Sequence, residues 1–333
     1  MSQPRYDVAG IGNAIVDVLA RTEDDVLAKL GVPKGGMMLI DEARAEAIYA
    51  AMAQTVEMSG GSAANTIAGI GMLGLKPAFI GKVRNDQPGA SFTHGMKAAG
   101  IHFPTAAATE GPTTARSFIL VTPDGERTMN TYLGAAQDLS PTDIDPAEIA
   151  SAGIVYLEGY LWDPKNAKDA FVKAAKIAHD ARRKVALTLS DSFCVDRYRE
   201  EFLSLMRNGT VDIVFANESE LHSLYMTSDF DGALKQLRND VNLGVVTRSE
   251  KGCMVVSVED AVAAPAFPVE KVVDTTGAGD LFAAGFLYGL ARNLAYKQCG
   301  ELGALAAAEV IQHIGARPQV SLKELAQQRG LTG

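Results

Sequence analysis

The chain has 333 residues, about two domains' worth at ~150 residues each, with 47% hydrophobic and 21% charged side chains. These proportions exclude a disordered or fibrous chain. Thirty-one Lys and Arg against 40 Asp and Glu leave a net charge of −9 with no Lys/Arg-rich run, which argues against nucleic acid as a partner but leaves room for a local anion site.

In chain order, Arg5–Gly12 reads as a buried strand, Ile15–Ala20 as a second and Met37–Ile40 as a short third. Helical patterns follow at Glu42–Ala53, Ala63–Leu73 and Pro88–Ala99. Ser117–Thr122 and Glu126–Leu133 flank Pro123-Asp124-Gly125 and predict a hairpin. From Gly153, strands at Ile154–Leu157, Lys184–Leu189, Val211–Ala216 and Leu243–Thr247 alternate with helices at Lys165–Ala181, Asp196–Met206 and Glu218–Met226. The last of these strands leads into a hairpin strand at Cys253–Val258, and the end is helical: Asp280–Arg292, about Leu302–Ile314, and a tail from Ser321. Strand–helix alternation predicts an α/β fold, a doubly wound, mainly parallel sheet covered on both faces. The short N-terminal strands read as a small β-sheet lid, inserted at about 14–45 and 113–135 into one domain spanning 1–333.

The cysteines Cys194, Cys253 and Cys299 form no CxxC, and the five histidines show no HxxxH or HxH spacing. This predicts a reducing, cytoplasmic setting and no structural zinc. No signal peptide is expected. Met58–Leu75 carries no charge over 18 residues, but its five glycines with Ser59, Ser62, Asn65 and Thr66 read as a Gly-rich turn and buried helix, not a membrane span.

Four segments carry chemistry. Asp274-Thr-Thr-Gly277-Ala278-Gly279-Asp280 runs straight into an apolar helix, so its amides can converge on an anion. Asp280 there is either an acid favoured by the helix dipole or a proton acceptor beside the anion. Asn217-Glu-Ser-Glu220 is a capping box, or places a carboxylate to organise water around magnesium. Gly10-Ile-Gly12-Asn13-Ala-Ile-Val-Asp17 lacks the third glycine of a dinucleotide fingerprint, and a second strand follows it. Asp17, among apolar neighbours, is a surface exception or an acceptor for two adjacent hydroxyls. Gly60-Gly61-Ser62-Ala-Ala-Asn65 opens a helix. A serine-hydrolase elbow would need a final glycine, a preceding strand and a placed histidine, none of which the sequence shows. No P-loop motif occurs.

Together and in this order, these segments resemble the ribokinase/PfkB family of carbohydrate and nucleoside kinases, adenosine kinases within it most of all. The likeness runs to Ala306–Gly315. It implies transfer of the γ-phosphoryl of Mg·ATP to a primary hydroxyl of a ribose-bearing substrate, adenosine first, with a sugar kinase as the alternative and a non-catalytic nucleoside-binding protein more remote. By resemblance, Asp280 is the base, and Gly277, Ala278 and Gly279 form the anion hole. Asn13, Asp17, Gly61, Ser62 and Asn65 hold the ribose, Arg127 is a lid arginine, and Tyr160 and Phe193 sandwich a purine. Asn217, Glu220, Thr247, Arg248, Gly252 and Thr276 border ATP and Mg2+, with Glu220 reaching the metal through water. Asp274 matches a monovalent-cation (K+) site, and Asp191 departs from the small or apolar residue expected beside Phe193. The partners implied are a small molecule, no nucleic acid and no membrane, in a monomer or homodimer.

Overall fold

The computed structural model describes residues 3–331. Thirteen strands form two sheets among the described residues. In chain order they are β1 (Tyr6–Ile11), β2 (Ile15–Arg21), β3 (Met37–Leu39), β4 (Thr55–Gly60), β5 (Pro77–Ile80), β6 (Ala115–Val121), β7 (Arg127–Tyr132), β8 (Ala152–Glu158), β9 (Lys184–Thr188), β10 (Ile213–Asn217), β11 (Leu243–Thr247), β12 (Cys253–Ser257) and β13 (Ala261–Ala264).

The large sheet runs β13-β12-β11-β10-β9-β8-β1-β5; it is parallel from β11 to β5 and antiparallel at β11-β12-β13. Its strands are apolar on both faces. On β8, Ile154 and Tyr156 enter one core while Val155 and Leu157 enter the other. One core receives helices Ser62–Met72, Ala278–Ala291 and Tyr296–Val310; the other receives Lys165–Asp180, Ser192–Arg207 and Glu218–Tyr225. Two cores on two sides of one sheet are what the continuous apolar runs require, and the doubly wound expectation holds.

The smaller sheet runs β3-β7-β6-β2-β4. Its hairpin β6–β7 turns at Pro123-Asp124-Gly125 as expected, with the Asp124 carboxylate accepting from Thr122 Oγ1 at 2.6 Å and the Glu126 amide at 3.2 Å. Several elements differ from the sequence reading. β4 was not foreseen: Thr55–Gly60 alternates only weakly, and it pairs antiparallel with β2 over Ile15–Ala20, so the small sheet draws on chain as far as Gly60. A strand therefore does precede Ser62. Short β5 and β13 and the helices Asp24–Leu30 and Phe230–Asp240 also went unread. The helix expected from Asp196 starts at Ser192, because Asp191 is its N-cap and accepts from the Cys194 amide at 2.6 Å. No helix among the described residues is long and apolar enough to cross a membrane.

Candidate active site

The parallel strands end on one side of the large sheet, where β1 delivers Asn13, β8 Glu158, β10 Asn217 and β11 Thr247. The Ala278–Ala291 helix begins at the same side. Crevices beyond strand C-termini are where open α/β sheets bind ligands.

Asp280 stands in the first turn of that helix. Its Oδ1 accepts from Ser62 Oγ at 2.6 Å and its Oδ2 from Asn65 Nδ2 at 3.0 Å. Both donors come from the first turn of the Ser62–Met72 helix, which Gly69 brings close: a Cβ there would lie 2.7 Å from Leu281 and 2.8 Å from Ala284. Burial pushes the Asp280 carboxyl up to about 6, against the opposing pull of Ser62, Asn65 and Arg317.

The two loop glycines differ. Gly277 has φ +81°, and a Cβ on it would lie 2.8 Å from Ala316, so the fold itself demands glycine. A Cβ on Gly279 would meet nothing within 4 Å, so no packing constraint explains that glycine. The Ala278 amide bonds to Thr275 O at 3.2 Å. The Gly279 and Asp280 amides find no acceptor among the described residues and point their donors outward at the positive end of the helix.

Asn13 is buried and donates through its amide and Nδ2 to Glu158 Oε1, at 3.2 and 2.6 Å. The same carboxylate accepts from the Ala63 amide at 2.8 Å, tying the end of β1 to the start of the Ser62–Met72 helix. Burial raises Glu158 to about 7, against these donors. Gly61 is the N-cap of this helix with φ +96°. The Oδ1 atoms of Asn13 and Asn65 are buried and lack a hydrogen-bond partner among the described residues.

The small sheet faces this group. Register places Asp17, Ser117 and Thr131 side by side on one face, with Ile15, Leu19, Met37, Leu39, Val56 and Met58 around them. The other face, with Val18, Phe118 and Leu120, is buried under the helices around Ala45, Ile48 and Phe92. The Asp17 carboxylate has no hydrogen bond or ion pair with a described residue; burial lifts it to about 6, against Arg317 and then Arg127, with Asp280 adding to the rise. Arg127, on the same face, forms a buried ion pair with Asp274. Asp274 also accepts from the Thr276 amide at 3.0 Å and the Gly315 amide at 2.9 Å. Burial acts to raise Asp274, but Gly315, Thr276 and Arg127 together hold it below the usual range.

Asn217 and Glu220 form the full capping box: Asn217 Oδ1 accepts from the Glu220 amide at 2.8 Å, and Glu220 accepts from the Asn217 amide and Nδ2 at 3.0 and 2.5 Å. Burial raises Glu220 to about 7. Thr247 ends β11. Arg248 pairs with Glu218 at 3.1 Å and lies 3.7 Å over the Phe230 ring. Gly252, φ +84°, would drive a Cβ to 2.1 Å from Ala264 O, so that glycine is explained by the turn. Tyr160 is half-exposed and Phe193 exposed. Arg197 lies 4.6 Å over Phe193. Burial, then Asp191 and more distant carboxylates, raise the Tyr160 phenol.

Sequence reasoning missed two residues, Glu158 and Arg317, and left Asp191 unexplained. Glu158 ends an apolar strand, which was a signal available for reading. Asp191 is explained by its capping bond. Arg317, two residues beyond the recognised C-terminal segment, reaches back to Ser59, with Nη2 3.0 Å from Ser59 O; nothing near it in the sequence marks it.

A carboxylate beside unpartnered helix-start amides, at the C-terminal ends of a doubly wound sheet, is an arrangement suited to phosphoryl transfer. The chain belongs to the pfkB family of carbohydrate kinases, whose model matches residues 31–322. The solved structure of an adenosine kinase from Sinorhizobium meliloti is 54% identical, with a TM-score of 0.91 over 98% of this chain and 99% of that one. A probable sugar kinase from Rhizobium etli CFN 42 is 51% identical, with a TM-score of 0.92 over 99% of this chain and 100% of that one. A probable chloroplastic fructokinase-6 of Arabidopsis thaliana is 32% identical over 250 residues, 72% of this chain and 64% of that protein. Family membership sets aside the hydrolase reading, and Ser62 agrees: its hydroxyl donates to Asp280, not to a histidine.

Proposed function

We propose that this kinase transfers the γ-phosphoryl of Mg·ATP to the 5′-hydroxyl of a ribonucleoside, adenosine first. The observation that carries a nucleoside over a free sugar is the inner face of the small sheet. Asp17 and two hydroxyls sit there among Ile15, Leu19, Met37, Leu39, Val56 and Met58, and Met37, Leu39 and Val56 are each about half exposed, at 50, 49 and 57%. A ribose needs the acid; only an apolar ring system needs the surrounding methyl groups. The 54% identity to an adenosine kinase supports the same choice.

In this reading the small sheet is a lid that keeps water from the reacting phosphoryl group. Asp17 accepts both hydroxyls of the ribose diol, and the unpartnered Oδ1 atoms of Asn13 and Asn65 take further donors from the sugar. Ser62 and Asn65 aim Asp280 at the 5′-hydroxyl. A carboxylate lifted toward 6 is a stronger base than a free aspartate of about 3.9, and it accepts the proton as the oxygen bonds to phosphorus. The Gly279 and Asp280 amides hold charge developing on the transferred group.

Each Glu220 oxygen accepts one bond from Asn217 and keeps a free lone pair, so the residue fits a role in ordering water around Mg2+. Bound Mg2+ supplies neutralisation of phosphate oxygens. The Asp274 carboxylate is taken up by Arg127, Thr276 and Gly315. This favours Arg127, rather than a monovalent cation, as its positive partner. Arg127 thereby latches the lid to the anion loop.

A sugar kinase is the second reading, favoured by the 51% identity to a probable sugar kinase from Rhizobium etli CFN 42. ADP release measured with adenosine, other nucleosides, ribose and fructose at matched concentrations separates the two. Adenosine should lead, with AMP as product; a sugar turned over faster than every nucleoside overturns the nucleoside reading.

A further inference from the structure

We infer that Arg317 is a positioning residue of this site: its guanidinium, anchored on the Ser59–Asn65 turn, is the counter-charge that keeps Asp17 and Asp280 ionised together. The inference rests on the proposed roles of these two acids and deepens them, because nothing in the site chemistry described so far calls for an arginine there.

Arg317 follows the Tyr296–Val310 helix, and its neighbour Ala316 packs against Gly277. Its Nη2 lies 3.0 Å from Ser59 O and 3.5 Å from Ser59 Oγ. The next residue, Gly60, lies so close to the Asp17 carboxylate that a Cβ would fall 2.2 Å from one oxygen. On the same turn, Ser62 and Asn65 bond both oxygens of Asp280. One short segment thus touches both acids and the guanidinium. Arg317 forms no ion pair within 4 Å of any described carboxylate, whereas Arg127, the other nearby cation, is committed to Asp274. Arg317 also lines an open pocket of roughly 300 Å³ together with Met58, Ser59, Ala68, Met72 and Ala99.

The charges acting on the pair come from several elements. Asp17 on β2 is stabilised as an anion by Arg317 and Arg127 and destabilised by Asp280. Asp280 is stabilised by Ser62, Asn65 and Arg317, while its own charge disfavours ionisation of Tyr156 and Glu158 on β8 and of Tyr160 just beyond it. Burial lowers Arg317 to about 10, and both acids oppose that shift, so it remains charged throughout the neutral range. Two like charges in a partly desolvated space disfavour each other's ionised form. A proton on Asp280 removes the base; a proton on Asp17 puts a donor where the diol needs an acceptor. Loss of a nearby cation favours the protonated form of both acids, so their titration moves to higher pH.

The test is the pH profile of kcat/KM for ADP release with adenosine. In Arg317→Gln the acid limb should move up by about one pH unit, giving about a tenfold loss at pH 6 and less than about threefold at pH 8.5. Arg317→Lys, which keeps the charge, should stay within about threefold of the parent at pH 6. An unchanged profile, or a loss by the same factor at every pH, overturns the inference. Carboxyl titration of 13C-aspartate adds a readout that needs no turnover. Both Asp17 and Asp280 should titrate at higher pH in Arg317→Gln than in the parent and near the parent in Arg317→Lys, and unshifted carboxyls in Arg317→Gln overturn the counter-charge role. Full turnover in Asp280→Asn would instead defeat the base assignment, leaving the carboxyl titration to judge Arg317 by itself.

Discussion

The two walls of the site are built by opposite means. The wall formed by the Asp274–Asp280 loop and its helix is local. Seven consecutive residues supply the turn, the outward amides and the acid, and Gly277 cannot be replaced without moving Ala316. The small-sheet wall is assembled from distant chain: Asp17 from β2, Ser117 from β6, Arg127 and Thr131 from β7, and apolar side chains from β3 and β4. The local wall presents backbone charge, suited to phosphate, which is common to every reaction of this kind. The assembled wall presents side chains, suited to a substrate that varies. Under the proposed function, one wall serves the chemistry and the other selects the molecule.

Substitutions on either wall can break that division. The largest effect belongs to the local wall: Asp280→Asn should lower turnover by about 10²–10⁴, with ATP affinity held or improved because a negative charge is gone. Near-normal turnover with a lowered melting temperature would make Asp280 a helix-start residue only. Between the walls, Arg127→Ala leaves Asp274 buried without its cation and should cost about 3–5 kcal/mol in urea unfolding. Since Gly315 and Thr276 still donate to Asp274, the lower end is expected. If K+ then raises the melting temperature of the variant and not of the parent, Asp274 can hold a cation once Arg127 is gone.

On the assembled wall, Asp17→Ala should weaken adenosine binding by about 2–4 kcal/mol, as titration calorimetry would read it, and leave ATP binding nearly unchanged. A deoxyadenosine should lose less in this variant than in the parent; equal losses would remove the diol from the argument. The smallest effect sharpens the contrast inside the loop. Gly279→Ala should keep the melting temperature within a few degrees while raising KM for ATP on the order of tenfold, because its Cβ meets only the open site. Gly277→Ala should show the reverse emphasis, a lower melting temperature first, because φ there is +81°.

Much of this molecule was legible because its signals are local. Asp280, the glycines around it, the Asn217–Glu220 box and the β6–β7 turn depend on residues within a few positions of each other, and backbone geometry alone fixes what they do. Apolar runs gave the parallel strands, since a strand buried on both faces cannot be polar on either. β4 escaped because its strand character comes from pairing with β2 and not from its own alternation. Glu158, Arg317 and the Arg127–Asp274 pair escaped for a related reason. Glu158 meets Asn13 across 145 positions, Arg317 meets Ser59 across 258, and Arg127 meets Asp274 across 147. The sequence by itself determined the fold class, the kinase family and the acid at the helix start. Only the tertiary structure decided which buried carboxylates share one space and which cations face them, because a charge buried away from water takes its energy from whatever the fold places around it.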